Sequence, residues 1–312
     1  MSKLDYDFSG LLIGTPLDFY GLRPSSGGAR RVPDIRINLN VGAMPPRRPV
    51  THAWKGRFQL TLEGGGGTDW MIRYRDDVAI GCDSRGATLD CTCSDPAHES
   101  ILTEILSRRV LPRLTALHDR LPIHAASLAS GEGAVLILGS SGAGKSTLTA
   151  AMVAAGWDIM SDDMSILSGS DDPYVWQTAP GVSLWAPSRR GLDLPEEQCR
   201  PIEGYDGKYW FAPPQAPGRP PAPVRAILFL VRDPRDAEIG WRRVAGPEAI
   251  MTVAGQIVRF DPSDKDEGAQ MLAQLTQLVA GVPCYRLTYP RHYAALPQAI
   301  AAIATIQVDA RR

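Results

Sequence analysis

The sequence predicts a mixed α/β (α+β) protein in which a β-rich N-terminal domain precedes an α/β domain. Three observations carry that expectation. Apolar and polar residues alternate over short runs in the first ~95 residues, as on half-buried strands. A strand, glycine-rich turn and helix pattern runs through Ala134–Gly156. Short apolar runs then alternate with helical periodicities as far as the C-terminal region.

The first domain, 1–97, contains "DIRINLNV" (Asp34–Val41), "RFQLTLE" (Arg57–Glu63), "DWMIRYR" (Asp69–Arg75) and "DVAIGC" (Asp77–Cys82). Each places apolar side chains two residues apart, on one face of a strand. "GGGG" (Gly64–Gly67) is the hairpin loop between the second and third. "RPSSGGARR" (Arg23–Arg31) and "PPRRP" (Pro45–Pro49) are loops.

Residues 98–120 form a helical bridge. Ile101, Ile105, Leu106, Leu111, Leu114 and Leu117 mark one face, and Pro112 kinks or divides the segment. The second domain, 121–312, begins with "IHAASLAS" (Ile123–Ser130) and "AVLIL" (Ala134–Leu138), two short strands. A helix follows from Lys145 to a Gly156 C-cap, then the strand "WDIMS" (Trp157–Ser161). "VSLWAP" (Val182–Pro187) is a further candidate strand. "PPQAPGRPPAP" (Pro213–Pro223) is a Pro-rich surface loop, long enough for a lid. "VRAILFLV" (Val224–Val231) has the unbroken apolar character of a central strand. Helices are expected over Pro247–Val258, Lys265–Val279 and Tyr293–Ile306, with the strand "CYRLTY" (Cys284–Tyr289) between the last two.

Composition narrows the function classes. A net charge of −1 gives no global attraction to nucleic acid or to an anionic membrane, so neither is an expected partner. The N-terminus "MSKLDYDFSG" lacks the layout of a signal peptide, and no apolar run has the length of a membrane span, so a cytoplasmic location is expected. Five cysteines in a chain of 312 residues read as free thiols in a reducing compartment. Cys91 and Cys93 form a C-x-C pair near His98, too few ligands for a metal clip, and read as strand-edge or loop thiols.

"GSSGAGKS" (Gly139–Ser146) fits G-x-x-x-x-G-K-[ST] in full, between an apolar strand and a helix. Such a loop binds ATP as the Mg²⁺ complex. Gly139, Ser140, Ser141, Gly142, Ala143 and Gly144 present backbone amides to the phosphates, together with the helix start at Lys145, Ser146 and Thr147. Lys145 neutralises the β- and γ-phosphates and Ser146 offers its hydroxyl to Mg²⁺.

Asp162 and Asp163 follow Lys145 by 17 and 18 residues, at the end of the next strand. That strand is expected alongside the one before the loop, which brings the carboxylates to the same sheet edge. One carboxylate can hold Mg²⁺ and the other can take a proton from an attacking hydroxyl.

The stretch "GSSGAGKSTLTAAMVAAGWDIMSDDMSIL", with His124 in "IHAASL", resembles the HPr kinase/phosphorylase type of serine kinase, whose P-loop fold is related to phosphoenolpyruvate carboxykinase. The likeness is specific over about residues 121–170 and loose beyond. It implies an HPr-kinase-like catalytic domain with Asp162 as catalytic base, Asp163 as metal partner, and His124 set against the aspartate pair. It also implies a serine hydroxyl on a protein or peptide as phosphoryl acceptor. Two departures stand out. Members that act on HPr carry a glutamate after the P-loop serine, where this chain has Thr147, and no counterpart of the region tied to phosphorolysis is present. Divergent relatives include tailoring kinases for ribosomally made peptides such as lasso peptides, and the sequence is compatible with that role and with a homo-oligomer.

Transfer of a phosphoryl group calls for more positive charge than one lysine and one metal. Lys208 in "YDGKYWFAPP" is the first candidate, and Arg189, Arg190, Arg219, Arg225 and Arg291 are others, each also readable as solvated surface. Trp185, Trp210 and Phe211 read as core or cover. Two alternative functions remain open. A small-molecule hydroxyl kinase is one, although such enzymes usually begin with the P-loop strand. A nucleotide-dependent ATPase or switch is the other, although "FLVRDP" (Phe229–Pro234) lacks the glutamate expected after its strand.

Overall fold

In the computed structural model, the described residues are 4–19, 21–25, 31–54, 58–64, 69–131, 133–169, 171–178, 181–202, 205–212, 218–231, 238–290 and 292–310. The chain is mixed α/β and divides into two compact units, residues 1–122 with 258–271, and 123–257 with 272–312. By this division residues 98–120 and 258–271 both belong to the first unit.

The first unit holds a nine-stranded sheet. Its strands are β1 (Leu4–Phe8), β2 (Leu11–Thr15), β3 (Arg23–Pro24), β4 (Ile35–Val41), β5 (Val50–Trp54), β6 (Leu60–Gly64), β7 (Trp70–Tyr74), β8 (Val78–Cys82) and β9 (Thr88–Cys93). The order is β3-β1-β2-β4-β9-β8-β7-β6-β5. The antiparallel run from β9 to β5 follows chain order, as short hairpin connections require. Gly65–Gly67 lie outside the described residues, and Gly64 pairs with Trp70 in β7. Cys91 and Cys93 sit in an interior strand and are fully buried, where a strand edge or loop was expected. Burial raises both thiols above their ordinary range, which makes them core side chains, and all five cysteines are free.

Residues 98–120 are helical but not one helix. α1 (Glu99–Ile105) runs into a π turn at Leu106–Val110, then α2 (Leu111–Leu114), with Pro112 near its start. Ile105, Leu106, Leu111 and Leu114 of the expected face enter the core of this unit, joined by Leu102 and Val110, while Ile101 and Leu117 are only partly buried against it. Within the same core Glu63 and Arg73 form a fully buried ion pair at 2.9 Å. The Arg48 amide and the carbonyls of Pro45 and Pro46 satisfy its remaining groups.

The second unit is built on strands β10 (Leu121–Ile123), whose first two residues fall to the first unit, β11 (Ala126–Ser130), β12 (Gly133–Leu138), β13 (Asp158–Ser161), β14 (Ser165–Ser168), β15 (Tyr174–Val175), β16 (Val182–Trp185), β17 (Cys199–Pro201), β18 (Lys208–Phe211), β19 (Ala222–Val231), β20 (Gly240–Val244) and β21 (Cys284–Thr288). Its helices are α3 (Lys145–Ala154), α4 (Ala186–Gly191), α5 (Gly246–Ala254), α6 (Lys265–Gly281), which carries the division at Met271, and α7 (Leu296–Asp309). The main sheet has the order β10-β14-β15-β19-β12-β11-β13, with β21 also on β19 and β20 on β21. β19 is central, as its apolar run predicts, and is parallel to both β12 and β21. β16, β18 and β17 make a separate three-stranded sheet. Among the described residues no helix is long and apolar enough to cross a membrane.

One expectation about topology is corrected. β13 does not lie beside β12, because β11 runs between them, antiparallel to each. Two antiparallel steps restore the direction, so β12 and β13 still end at the same edge. Ala126 pairs with Ile137 and Ser127 with Ser161, which puts the start of β11 at that edge too.

Candidate active site

Three chain segments therefore converge: the turn holding His124, the loop after β12, and the turn after β13. All six residues of β12 are buried, and the chain leaves it at Gly139. Ser140, Ser141 and Gly142 are exposed, and Ala143 is buried against the core. The Ala143 amide donates to the Ser140 carbonyl at 3.1 Å, which folds the loop into a tight turn. Gly142 (φ +77°) and Gly144 (φ +95°) are left-handed, a backbone that only glycine adopts without cost. A Cβ on Gly144 would lie 3.0 Å from the Tyr289 hydroxyl, so this glycine also makes room. α3 starts directly at Lys145 with no side-chain cap, which leaves its first amides available to an anion.

The Lys145 ammonium folds back on this loop, donating to the carbonyls of Gly139 at 2.6 Å and Ser140 at 3.4 Å. Burial lowers its pKa, opposed by Asp163 and Asp162. Ser146 and Thr147 are half-buried, and the Thr147 hydroxyl is hydrogen-bonded to that of Ser188 in α4 at 2.8 Å.

Asp162 is buried, with 6% of its surface exposed. Its Oδ2 accepts from the Ser183 amide of β16 at 2.8 Å, while Oδ1 is buried with no hydrogen-bond partner. Burial raises its pKa to about 6; the Ser183 bond opposes the rise, Asp163 adds to it, and Ser146 and Lys208 pull it down. Ser161 fixes the turn, its Oγ donating to the Met164 carbonyl at 2.6 Å. Asp163 by contrast is exposed, with Oδ1 at 3.3 Å from His124 Nε2. His124 is held by its own amide, which donates to the Gln256 carbonyl at 2.8 Å.

Lys208 opens β18, opposite Trp185 in β16. Its ammonium lies 4.8 Å from the Tyr205 ring centroid and 5.6 Å from that of Trp185, a cation over two aromatic faces. Trp185 is 54% exposed, so it is not a core residue. Trp210 is half-buried and Phe211 is buried. Arg189 pairs with Glu196 and Arg219 with Asp158, while Arg225 lies 4.0 Å from Asp172. Arg291, residues 213–217 of the Pro-rich loop and 232–234 of "FLVRDP" lie outside the described residues.

Ser183, Ser188 and Tyr289 were not singled out in the sequence, because each reaches the site from a distant segment through a single atom. Among the described residues no group of three His, Cys, Asp or Glu side chains gathers to hold a metal. The residues nonetheless fit a Mg²⁺–nucleotide, which brings most of its own oxygen ligands. A partnerless buried carboxylate oxygen, a neighbouring serine hydroxyl and an exposed second carboxylate are the oxygen donors such a complex requires.

Fold and site together define a mixed α/β chain with a glycine-loop, lysine and aspartate-pair constellation. Among solved structures the chain is similar to the Hpr(Ser) kinase/phosphatase from Coxiella burnetii, at 14% sequence identity and a TM-score of 0.31, over 60% of this chain and 98% of that one. No protein-family model and no curated protein matches it. So distant a likeness leaves the chemistry to be read from this chain's own residues.

Proposed function

We propose that this chain is an ATP-dependent, Mg²⁺-requiring kinase that transfers the γ-phosphoryl group to a serine hydroxyl of a peptide or protein. The observation that carries the reading is Asp162, a buried carboxylate with one oxygen tied to the Ser183 amide and the other without a partner. A group so held is oriented, and its free oxygen is available to a hydroxyl proton.

Gly139–Gly144 and the first amides of α3 would hold the phosphates, with Lys145 turning from its loop carbonyls to them. Ser146 and Asp163 would hold Mg²⁺, which when bound neutralises charge on the phosphates. Asp162 Oδ1 would accept the acceptor's hydroxyl proton as that oxygen bonds to the γ-phosphorus and the bond from that phosphorus to the β-phosphate oxygen breaks, releasing ADP. A pKa of about 6 leaves Asp162 ionised at neutral pH, yet basic enough to take the proton. His124, 3.3 Å from Asp163, positions that carboxylate. Lys208 favours the charged form of Asp162 from the aromatic side.

Serine on a peptide or protein is favoured by the family resemblance over residues 121–170. The Thr147 hydroxyl, bonded to Ser188, stands where HPr-directed members carry a carboxylate, so HPr is not the acceptor we propose. A lasso-type precursor or another ribosomally made peptide fits better. The test is incubation with γ-labelled ATP and the peptides encoded beside this chain, followed by mass spectrometry of the products. Phosphoserine on one of them, absent with Asp162→Asn, is the expected result. Label on a small molecule alone, or only on water, would overturn the reading.

A further inference from the structure

The sheet of the first unit ends on β5, which pairs with β6 on one side. Its other side has no strand among the described residues, and Val50 at its start is 54% exposed. An unpaired strand edge presents amides and carbonyls in the spacing of a further strand. β5 ends at a cavity of about 70 Å³, room for one side chain. Trp54, Phe58 and Ile72 form the sheet side, and Arg109, Val110 and Arg113 close it from the π turn and α2.

The charge in this cavity is one-sided. Among the described residues no carboxylate lines it. Arg108, next in the chain, is paired with Glu104 at 2.9 Å, whereas Arg109 has no carboxylate partner among the described residues. Arg113 lies 5.3 Å from the Trp54 ring centroid and donates to the Arg109 carbonyl at 2.8 Å, which fixes it at the rim. A π turn inserts an extra residue into a helix and recurs at binding sites, and here it is the element that carries Arg109 to the sheet.

We propose that β5 and this cavity bind an extended peptide by strand addition. A glutamate or aspartate would enter between Arg109 and Arg113, and apolar residues at alternate positions would lie against Trp54 and Phe58. Main-chain pairing supplies the affinity, and the arginine-lined cavity supplies the choice of side chain. The proposal is independent of the kinase reading, because every residue in it belongs to the first unit.

The test uses the full chain. A phage-displayed library of random heptapeptides is selected on the immobilised protein, and the most enriched sequence is made as a fluorescent peptide. Enrichment of an acidic residue with apolar residues two positions away is expected. Binding should weaken at least tenfold with Arg109→Ala, and similarly when alternate backbone amides of the peptide are N-methylated. Arg109 is half-exposed, so its substitution should leave the unfolding midpoint unchanged, which separates lost binding from lost fold. Three outcomes would overturn the proposal: no acidic–apolar enrichment, binding indifferent to Arg109→Ala, or a dimer in light scattering that Thr51→Pro dissolves, which would make a second copy the occupant of β5.

Discussion

The backbone amide of Ser183 holds Asp162 through Oδ2 at 2.8 Å and leaves Oδ1 unbonded. A buried carboxylate kept half-satisfied lowers stability in the free protein, and that cost is measurable. A carboxyl raised from 3.8 to about 6 weakens the folded state by about 3 kcal/mol once both states are ionised. The unfolded chain ionises first, so the penalty is absent below pH ~4, grows through pH 6 and is complete above it. Asp162→Asn keeps an acceptor for Ser183 and removes the charge. In chelator, thermal melts at pH 8 should show the variant more stable than the wild type, with the gain fading towards pH 4. The same variant should bind ATP and fail to transfer phosphate. Equal melting curves at pH 8 would show that the carboxylate is not confined as described.

Lys145→Ala removes the ammonium that bridges Gly139 and Ser140. The rise in melting temperature produced by Mg²⁺–ATP in the wild type should disappear, because stabilisation by a ligand follows its affinity for the folded state. A full shift in the variant would exclude Lys145 from phosphate binding.

Two loop glycines should respond differently to alanine. Gly144→Ala meets both a left-handed backbone and the Tyr289 hydroxyl at 3.0 Å, whereas a Cβ at Gly142 meets nothing within 4 Å. Each costs about 1–2 kcal/mol from backbone strain. Gly144→Ala should cost more by urea unfolding, and Tyr289→Phe combined with it should recover part of the difference.

His124 and Asp163 are both largely exposed at 3.3 Å, so their pairing contributes little to stability, within about 1 kcal/mol. His124→Ala should leave the unfolding midpoint nearly unchanged and lower turnover at least tenfold with little change in KM for ATP. A proportional loss of stability would assign the histidine a structural role.

Glu63→Gln breaks the buried pair with Arg73 and should cost about 3–5 kcal/mol in urea unfolding. Burial pushes the Glu63 carboxyl up, but the Arg73 guanidinium and the Arg48 amide more than offset this and hold it below its ordinary range. Its contribution is therefore present above the unfolded pKa near 4.5 and is lost as pH falls through the lower folded value. Acid unfolding of the wild type should be steep in that window, and flattened in the variant.

Periodicity was a good guide where one face of a strand is wet. β4 alternates buried and exposed residues and was legible, whereas β2 is buried throughout and offers no alternation to detect. β9 alternates as well, but with threonine and cysteine in place of larger apolar residues, so its sequence carries a weak strand signal. The glycine loop, Lys145 and the aspartates were legible because one strand–loop–helix unit and one further strand place them all. What completes the site was not. Ser183 lies 21 residues beyond Asp162 and acts through its backbone, on which sequence is silent. The π turn was hidden too, since Leu106–Val110 has ordinary helical composition. Lys208 stands out for its charge, and Tyr205 precedes it by three residues, but its other aromatic neighbour, Trp185, comes from the separate strand β16.

Phe260 has no exposed surface in the first unit, its ring centroid 4.9 Å from that of Trp70, whose indole nitrogen donates to Asp261. The hydrophobic interior begun by the earliest strands therefore stays open during synthesis until a segment some 190 positions later has left the ribosome. A fragment ending at residue 122 would expose that gap to water, and shortened versions of this chain are best cut elsewhere.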